Sequence, residues 1–262
     1  MPTILIINDD GISSIGLVTV AKQLKKLGEV IVVTPRDEKS GIGKAISISQ
    51  VNIIETSFCD GIRAYAITGT PADSFLIAVN KILKRMPDLL VSGINIGPNL
   101  GIDDLLTSGT IGAAFEAAIH KVPAIAVSYC LSEITAKMPE KAKVSVKDLE
   151  LAATLAYKAA KHVLERGMPP EVQIISINVP EKADCKRVKL TSLCYDGYGD
   201  IHTEVTDGYK IKSWALRHYP DGVLGTDLYA IKTDKCISVT PIKLEFLHNT
   251  QALKDLMKSL SD

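Results

Sequence analysis

Five short apolar runs separated by helix-forming stretches set the strongest limit on what this chain can fold into. They cover residues 4–8, 29–34, 88–94, 123–129 and 172–179. Each is too short for a buried helix and reads as a strand covered on both faces. Between the first two, Leu17, Val20, Ala21, Leu24 and Leu27 recur at helical spacing, with Ser13 or Ser14 to cap the start and Gly28 to close the end. Strand, helix, strand in that order implies a right-handed crossover and a parallel sheet.

The alternation continues. Residues 35–44 are polar and glycine-containing, a loop. Residues 45–54 and 63–68 alternate like a hairpin around Cys59-Asp60-Gly61, and Pro71 suits the first turn of a helix reaching about residue 83. Gly97, Pro98, Asn99 and Gly101 form a loop, and helices are expected over 109–120 and 146–166. The latter puts Leu149, Ala152, Ala156, Ala159 and Val163 on one face, and a charged, irregular stretch at 131–145 precedes it. The pattern predicts a doubly wound, Rossmann-like α/β core over residues 1–180, with 172–179 as its last strand.

After Pro180 the texture changes. Residues 187–193, 210–216 and 228–239 look like antiparallel strands punctuated by Gly197, Gly199, Gly208 and Gly222, and a last helix after Asn249 carries Leu253, Leu256 and Leu260. Residues 181–262 are therefore expected as a β-hairpin and helix extension, too thin to build much core of its own, that packs on the core or on a partner subunit.

Composition narrows the function. Thirty basic and thirty acidic residues give a formal net charge of zero, which does not suggest nucleic-acid binding by bulk charge. The N-terminal apolar run is short and lacks a basic leader, and no stretch approaches the ~20 apolar residues of a membrane span. Cys59, Cys130, Cys185, Cys194 and Cys236 form no CxxC pair, and an odd number argues against a disulfide framework, so a cytoplasmic protein with reduced thiols is expected.

In an open α/β sheet, ligands bind beyond the carboxyl ends of the strands. The first strand delivers Asn8-Asp9-Asp10-Gly11, and the loop after the second carries Ser40-Gly41. The strand at 88–94 delivers Asn95, with Asn99 beyond it, and Thr107-Ser108-Gly109-Thr110 opens a helix. These are oxygen donors with almost no nitrogen or sulfur, a set that suits a hard divalent cation such as Mg²⁺, Mn²⁺ or Ca²⁺. A helix start offers free N–H groups and a favourable dipole to an anion. Each motif also has a plain structural reading. Asp-Gly is a common turn pair, Ser40 alone is an ordinary solvated serine, Asn95 and Asn99 suit Asx turns, and Ser108 or Thr110 can simply cap a helix. His120, His162, His202, His218 and His248 show no paired helical spacing, which makes a histidine zinc site unfavourable.

Taken in order, Asn8-Asp9-Asp10-Gly11, Ser40-Gly41, Gly69-Thr70-Pro71-Ala72-Asp73, Ser92-Gly93-Ile94-Asn95 with Gly97 and Asn99, and Ser108-Gly109-Thr110 resemble the survival protein E (SurE) family of nucleotidases. The resemblance implies hydrolysis of nucleoside 5′- and 3′-monophosphates with one divalent ion per subunit, Mg²⁺ or Mn²⁺ foremost. It implies Asp9, Asp10, Ser40 and Asn95 as metal ligands, with Asp9, Asp10 and Asn95 at the centre of the catalysis. Asn99 and Ser108-Gly109-Thr110 would lie at the phosphate, and the subunits would associate as dimers or tetramers. One departure is Thr107, where the family usually places a tyrosine. Other readings fit less well: a dinucleotide-binding dehydrogenase needs GxGxxG after the first strand, a receiver-type domain needs a lone Asp where Asn95 stands, and a haloacid-dehalogenase-type phosphatase needs Asp-x-Asp. A nucleotide-sensing module without turnover is the remaining rival.

Overall fold

The computed structural model describes residues 1–131, 144–181, 183, 187–211, 216, 220–245 and 250–261. Its first half runs β1 (Thr3–Ile7), α1 (Ile15–Leu24), β2 (Glu29–Pro35), β3 (Ile53–Thr56), β4 (Arg63–Ile67), α2 (Pro71–Ile77) and β5 (Leu89–Ile96). Then come α3 (Gly101–Thr107), α4 (Gly109–Ile119), β6 (Ala124–Cys130), α5 (Val146–Arg166) and β7 (Ile174–Pro180). The remainder supplies β8 (Val188–Leu190), β9 (His202–Val205), β10 (Gly208–Ile211), α6 (Asp227–Lys232), β11 (Ile237–Ile242) and α7 (Lys254–Ser259).

Among the described residues the main sheet has nine strands in the order β3-β4-β2-β1-β5-β6-β7-β11-β8. The strands from β4 through β7 are mutually parallel, while β3 and β11 run antiparallel to β4 and β7. This is the expected α/β class. Side chains of β1 alternate between the faces, as the pleat requires. Ile4 and Ile6 join Leu17, Val20 and Leu24 of α1 and Leu149, Ala152 and Ala156 of α5 on one side. Leu5 and Ile7 join Phe75 of α2 and Ile111 and Phe115 of α4 on the other. Two helical layers thus remove both faces from water, which is why these strands carry continuous apolar runs. From β1 the chain winds outward through β2 and β4, then returns to β5 on the opposite side of β1. The reversal opens a crevice between the carboxyl ends of β1 and β5.

Four expectations are corrected. The core sheet does not end at β7: β11 pairs antiparallel with it and β8 pairs parallel with β11. Residues 228–239 are not one strand. Thr226 accepts a hydrogen bond from the Tyr229 amide at 3.4 Å and starts α6, which buries Leu228 and Ile231 one turn apart before β11 begins. The hairpin over 45–54 and 63–68 is shorter, since only Ile53–Thr56 pairs with β4. The stretch before Thr107 is the helix α3, not a loop. Asp103 and Asp104 occupy its first turn, where carboxylates are favoured, and the Leu100 amide donates to Asp104 Oδ2 at 2.7 Å.

The expected helix from Pro71 continues past α2 as a π turn over Ala78–Ile82. Most of the stretch at 131–145, residues 212–215 of the strand expected at 210–216, and His218 and His248 lie outside the described residues.

Candidate active site

Asp9 and Asp10 follow β1 directly, at the mouth of the crevice. Gly11 turns the chain there at φ +87°, a conformation that favours glycine, and the position a Cβ would take lies 3.0 Å from the Arg36 carbonyl oxygen. The turn is fixed from beneath by buried polar groups. The Asn8 amide donates to Thr34 Oγ1 at 3.0 Å and Thr34 returns its proton to the Asn8 carbonyl at 2.6 Å. Asn8 Nδ2 reaches Ser14 Oγ at 3.2 Å and the Ile94 carbonyl at 3.3 Å, while its Oδ1 accepts from the Asp9 amide at 2.8 Å. Asn8 therefore ties β1, α1 and β5 together.

Three segments distant in sequence are bonded to the aspartates. Thr110, in the first turn of α4, donates its hydroxyl to Asp9 Oδ1 at 2.6 Å and its amide to Oδ2 at 3.2 Å. The Ile96 amide at the end of β5 donates to Asp10 Oδ2 at 2.9 Å. The Lys39 amide donates to the Asp9 carbonyl at 2.7 Å, which brings the loop after β2, and Ser40 beside it, to the same edge. Gly109 allows the close approach of α4: a Cβ there would stand 2.8 Å from Asp9 Cβ and 2.9 Å from its Oδ2. Asp9 is buried against a helix N-terminus, where the dipole favours its charge.

Each remaining candidate has a defined partner. Asn95 Nδ2 donates to the Gly97 carbonyl at 3.0 Å, so the side-chain nitrogen is tied and the amide oxygen is its accepting end. Ser40 is exposed and donates to Glu38 Oε1 at 2.5 Å. Ser108 Oγ accepts from the Ile111 amide at 3.1 Å as the cap of α4 and keeps its own proton to give. Thr110 has committed its proton to Asp9. Asn99 is buried and gives one amide proton to Ser128 Oγ at 2.8 Å.

Several residues important to this edge were not singled out by the sequence. Asn178, at the end of β7, clamps the Asn99 backbone: it accepts from the Asn99 amide at 3.0 Å and donates to its carbonyl at 2.9 Å. Asp227 is buried and receives the Gly101 and Cys194 amides at 2.9 Å each and the Leu228 amide at 2.8 Å. Burial raises its carboxyl pKa and these amides oppose the rise. Tyr198 hydrogen-bonds Asp104 and stands 3.1 Å from Thr107 Oγ1; burial first, then the Asp104 charge, push its phenol far above the usual range. Asn, Asp and Tyr in a strand end and a glycine-rich tail carry no spacing signal, so only tertiary contact reveals them.

Among the described residues no group of three or more His, Cys, Asp or Glu side chains is placed to hold an ion. A cation at this edge must draw on amide and hydroxyl oxygens besides the two carboxylates. The donor set fits one. Thr110 and Ile96 orient the two carboxylates through hydroxyl and amide donors, and Asn95 is oriented through its nitrogen.

A family model described as Survival protein SurE matches residues 4–200. The chain belongs to the SurE family. It is 38% identical over 251 residues to a protein named 5′-nucleotidase SurE from Methanosarcina mazei, covering 94% of this chain and 93% of that one. A protein of the same name from Methanothermobacter thermautotrophicus is 41% identical over 191 residues, 72% of each chain. The crystal structure of the SurE protein of Aquifex aeolicus superposes with a TM-score of 0.73 at 29% identity, covering all of both chains. The matched span contains every residue of the crevice named above, from Asn8 to Tyr198. Asp227 lies beyond it. Among the described residues no helix is long and apolar enough to cross a membrane.

Proposed function

We propose that the protein is a phosphomonoesterase that converts nucleoside 5′- and 3′-monophosphates to nucleoside and phosphate, using one divalent metal ion per subunit. The observation that carries this reading is the convergence on Asp9-Asp10 of the α4 start, the β5 end and the Ser40 loop, through the bonds from Thr110, Ile96 and Lys39. Membership of a family whose relatives are named 5′-nucleotidase supports the substrate class.

Asp9, Asp10, Ser40 and Asn95 would hold the ion. When bound, a divalent ion neutralises phosphate charge and lowers the pKa of a water. The chain's own groups do the rest. Thr110 fixes the Asp9 carboxylate in orientation. The Ser108 hydroxyl, which caps α4 by accepting the Ile111 amide, has its proton for a phosphoryl oxygen, and the N-terminus of α4 adds its dipole. Asn99, held by Asn178, has a second amide proton for the same anion. Gly109 lets the start of α4 close on Asp9 and so brings its N–H groups to the same edge. A cytoplasmic place of work belongs to the same reading, and there the cysteines would stay reduced.

The direct test is phosphate release from a panel of 5′- and 3′-monophosphates with Mg²⁺, Mn²⁺ or EDTA. Turnover is expected with either ion and none after chelation; activity that survives thorough chelation would overturn the metal assignment.

Self-association to a dimer or tetramer belongs to the same reading. The β9–β10 hairpin exposes Val205, Tyr209 and Ile211, and α7 with its C-cap exposes Leu256, Met257 and Leu260. Apolar surface of this kind, carried on elements at the chain's end, is an efficient way to join subunits. Light scattering is expected to give a mass of at least two chains, and Leu256→Glu with Met257→Glu to lower it. A stable monomer at tens of micromolar, the order at which modest interfaces saturate, would contradict this.

A further inference from the structure

The segment around residues 192–200 is bonded along α3. The Ile102 amide donates to the Cys194 carbonyl at 2.8 Å, and Asp227 holds the Gly101 and Cys194 amides from below. The Tyr198 amide donates to the Asp103 carboxylate, and its phenol donates to Asp104 Oδ1. The same phenol oxygen is 3.1 Å from Thr107 Oγ1, the last residue of α3. Thr107 Oγ1 also lies 2.8 Å from the Asp103 carbonyl, so its one proton is shared between that carbonyl and the phenol oxygen.

Thr107 has two further connections. Its carbonyl accepts the Gly43 amide at 2.6 Å, which pins the far end of the loop that carries Ser40. Its next neighbour, Ser108, caps α4, whose first turn orients Asp9 through Thr110. Thr107 is therefore the joint between the Ser40 loop and the anion-facing helix start, and Tyr198 is the tail's hold on that joint.

We infer that Tyr198 is a positioning residue: through Thr107 it sets the spacing between the Ser40 loop and the start of α4, and so couples the C-terminal segment to the reaction edge. The inference rests on the proposed phosphomonoesterase reading for its kinetic consequence, but its structural half stands without it. Phenol and hydroxyl meet in one small network, and removing the phenol oxygen breaks the connection from Asp104 to Thr107 while the ring still fills its half-buried place.

Tyr198→Phe tests this, with exposed Tyr195→Phe as control. Amide hydrogen exchange at Gly43 and Ile111 is expected to quicken severalfold in Tyr198→Phe with the melting temperature nearly unchanged. With AMP and Mn²⁺, kcat is expected to fall about tenfold while KM moves less than threefold, the pattern of a lost alignment rather than lost binding. Thr107→Val should reproduce the effect, and the double variant should be no worse than the weaker single. Unchanged exchange at Gly43 and Ile111 overturns the inference whatever the activity. So does wild-type kcat in Tyr198→Phe when the wild-type enzyme turns over. Quickened exchange in a protein whose wild type releases no phosphate upholds the coupling and sinks the phosphomonoesterase reading instead.

Discussion

Replacing Asp9 or Asp10 with asparagine is expected to cut turnover by about 100-fold or more at limiting metal, the upper end of what losing even an outer partner of a metal site costs. The two substitutions are close in shape to the originals, and each removes one charge from the edge where Thr110, Ile96 and Lys39 converge. Excess Mn²⁺ should recover part of the loss, because the defect lies in holding the ion. Asp9→Asn should be the harder to rescue. The carboxylate accepts both a hydroxyl proton and an amide proton from Thr110, one on each oxygen. Asparagine has one oxygen, so one of those donors meets an NH₂ group and costs roughly 1–3 kcal/mol as an unsatisfied buried donor. Asp10 receives the Ile96 amide on Oδ2, which an asparagine oxygen can still accept. Ser108→Ala gives the contrast: it removes a donor without touching the ion ligands, so its loss should be milder and indifferent to added metal. Turnover measured against metal concentration separates the three; wild-type turnover in both aspartate variants at limiting metal would show that the carboxylates serve only the turn.

Gly109→Ala is the second change expected to act strongly. The added methyl would stand 2.8 Å from Asp9 Cβ, 2.9 Å from Oδ2 and 3.1 Å from Ile42 Cγ2. Asp9 has little room to yield, since Asn8 holds its amide and Thr110 its carboxylate. Either α4 withdraws or the carboxylate turns, and a shift of about 1 Å at a reacting group costs on the order of 100-fold in rate. Stability should fall by only about 1–3 kcal/mol, as for other overpacked sites. Steady-state kinetics and a melting curve on the same preparation check both halves. An active Gly109→Ala protein with a normal melting temperature would show that the close contact between α4 and Asp9 is not needed.

Much of the fold was legible because the signals were local. The apolar runs that became β1, β2, β5, β6 and β7 announce burial on both faces, and Leu17, Val20 and Leu24 announce the buried face of α1. The motif residues of the site stood at strand ends, where topology brings them together. What escaped was set by tertiary contact or by competing local signals. The alternation in residues 228–239 hid the Thr226 cap that starts α6. A glycine-rich approach hid α3, although Asp103 and Asp104 mark its first turn. The β11 run reads as part of a thin tail, and only its pairing with β7 makes it core. Asn178 and Tyr198 act on residues 79 and 91 positions away, at Asn99 and Thr107, a span over which no pattern in one sequence reaches. The structure also refines the motif. Thr110, expected at the phosphate, spends its proton on Asp9, whereas Ser108 keeps its own.

The central claim is that the Asp9-Asp10 edge holds the ion that makes phosphate release possible. Calorimetric titration of Mn²⁺ into chelator-stripped protein, with phosphate release from AMP measured at each point, tests it most directly. The account predicts one ion per chain, turnover that rises in step with occupancy, and both lost together in Asp10→Asn at the same metal concentrations. Turnover in the stripped protein, or unaltered Mn²⁺ binding and turnover in Asp10→Asn, would contradict it.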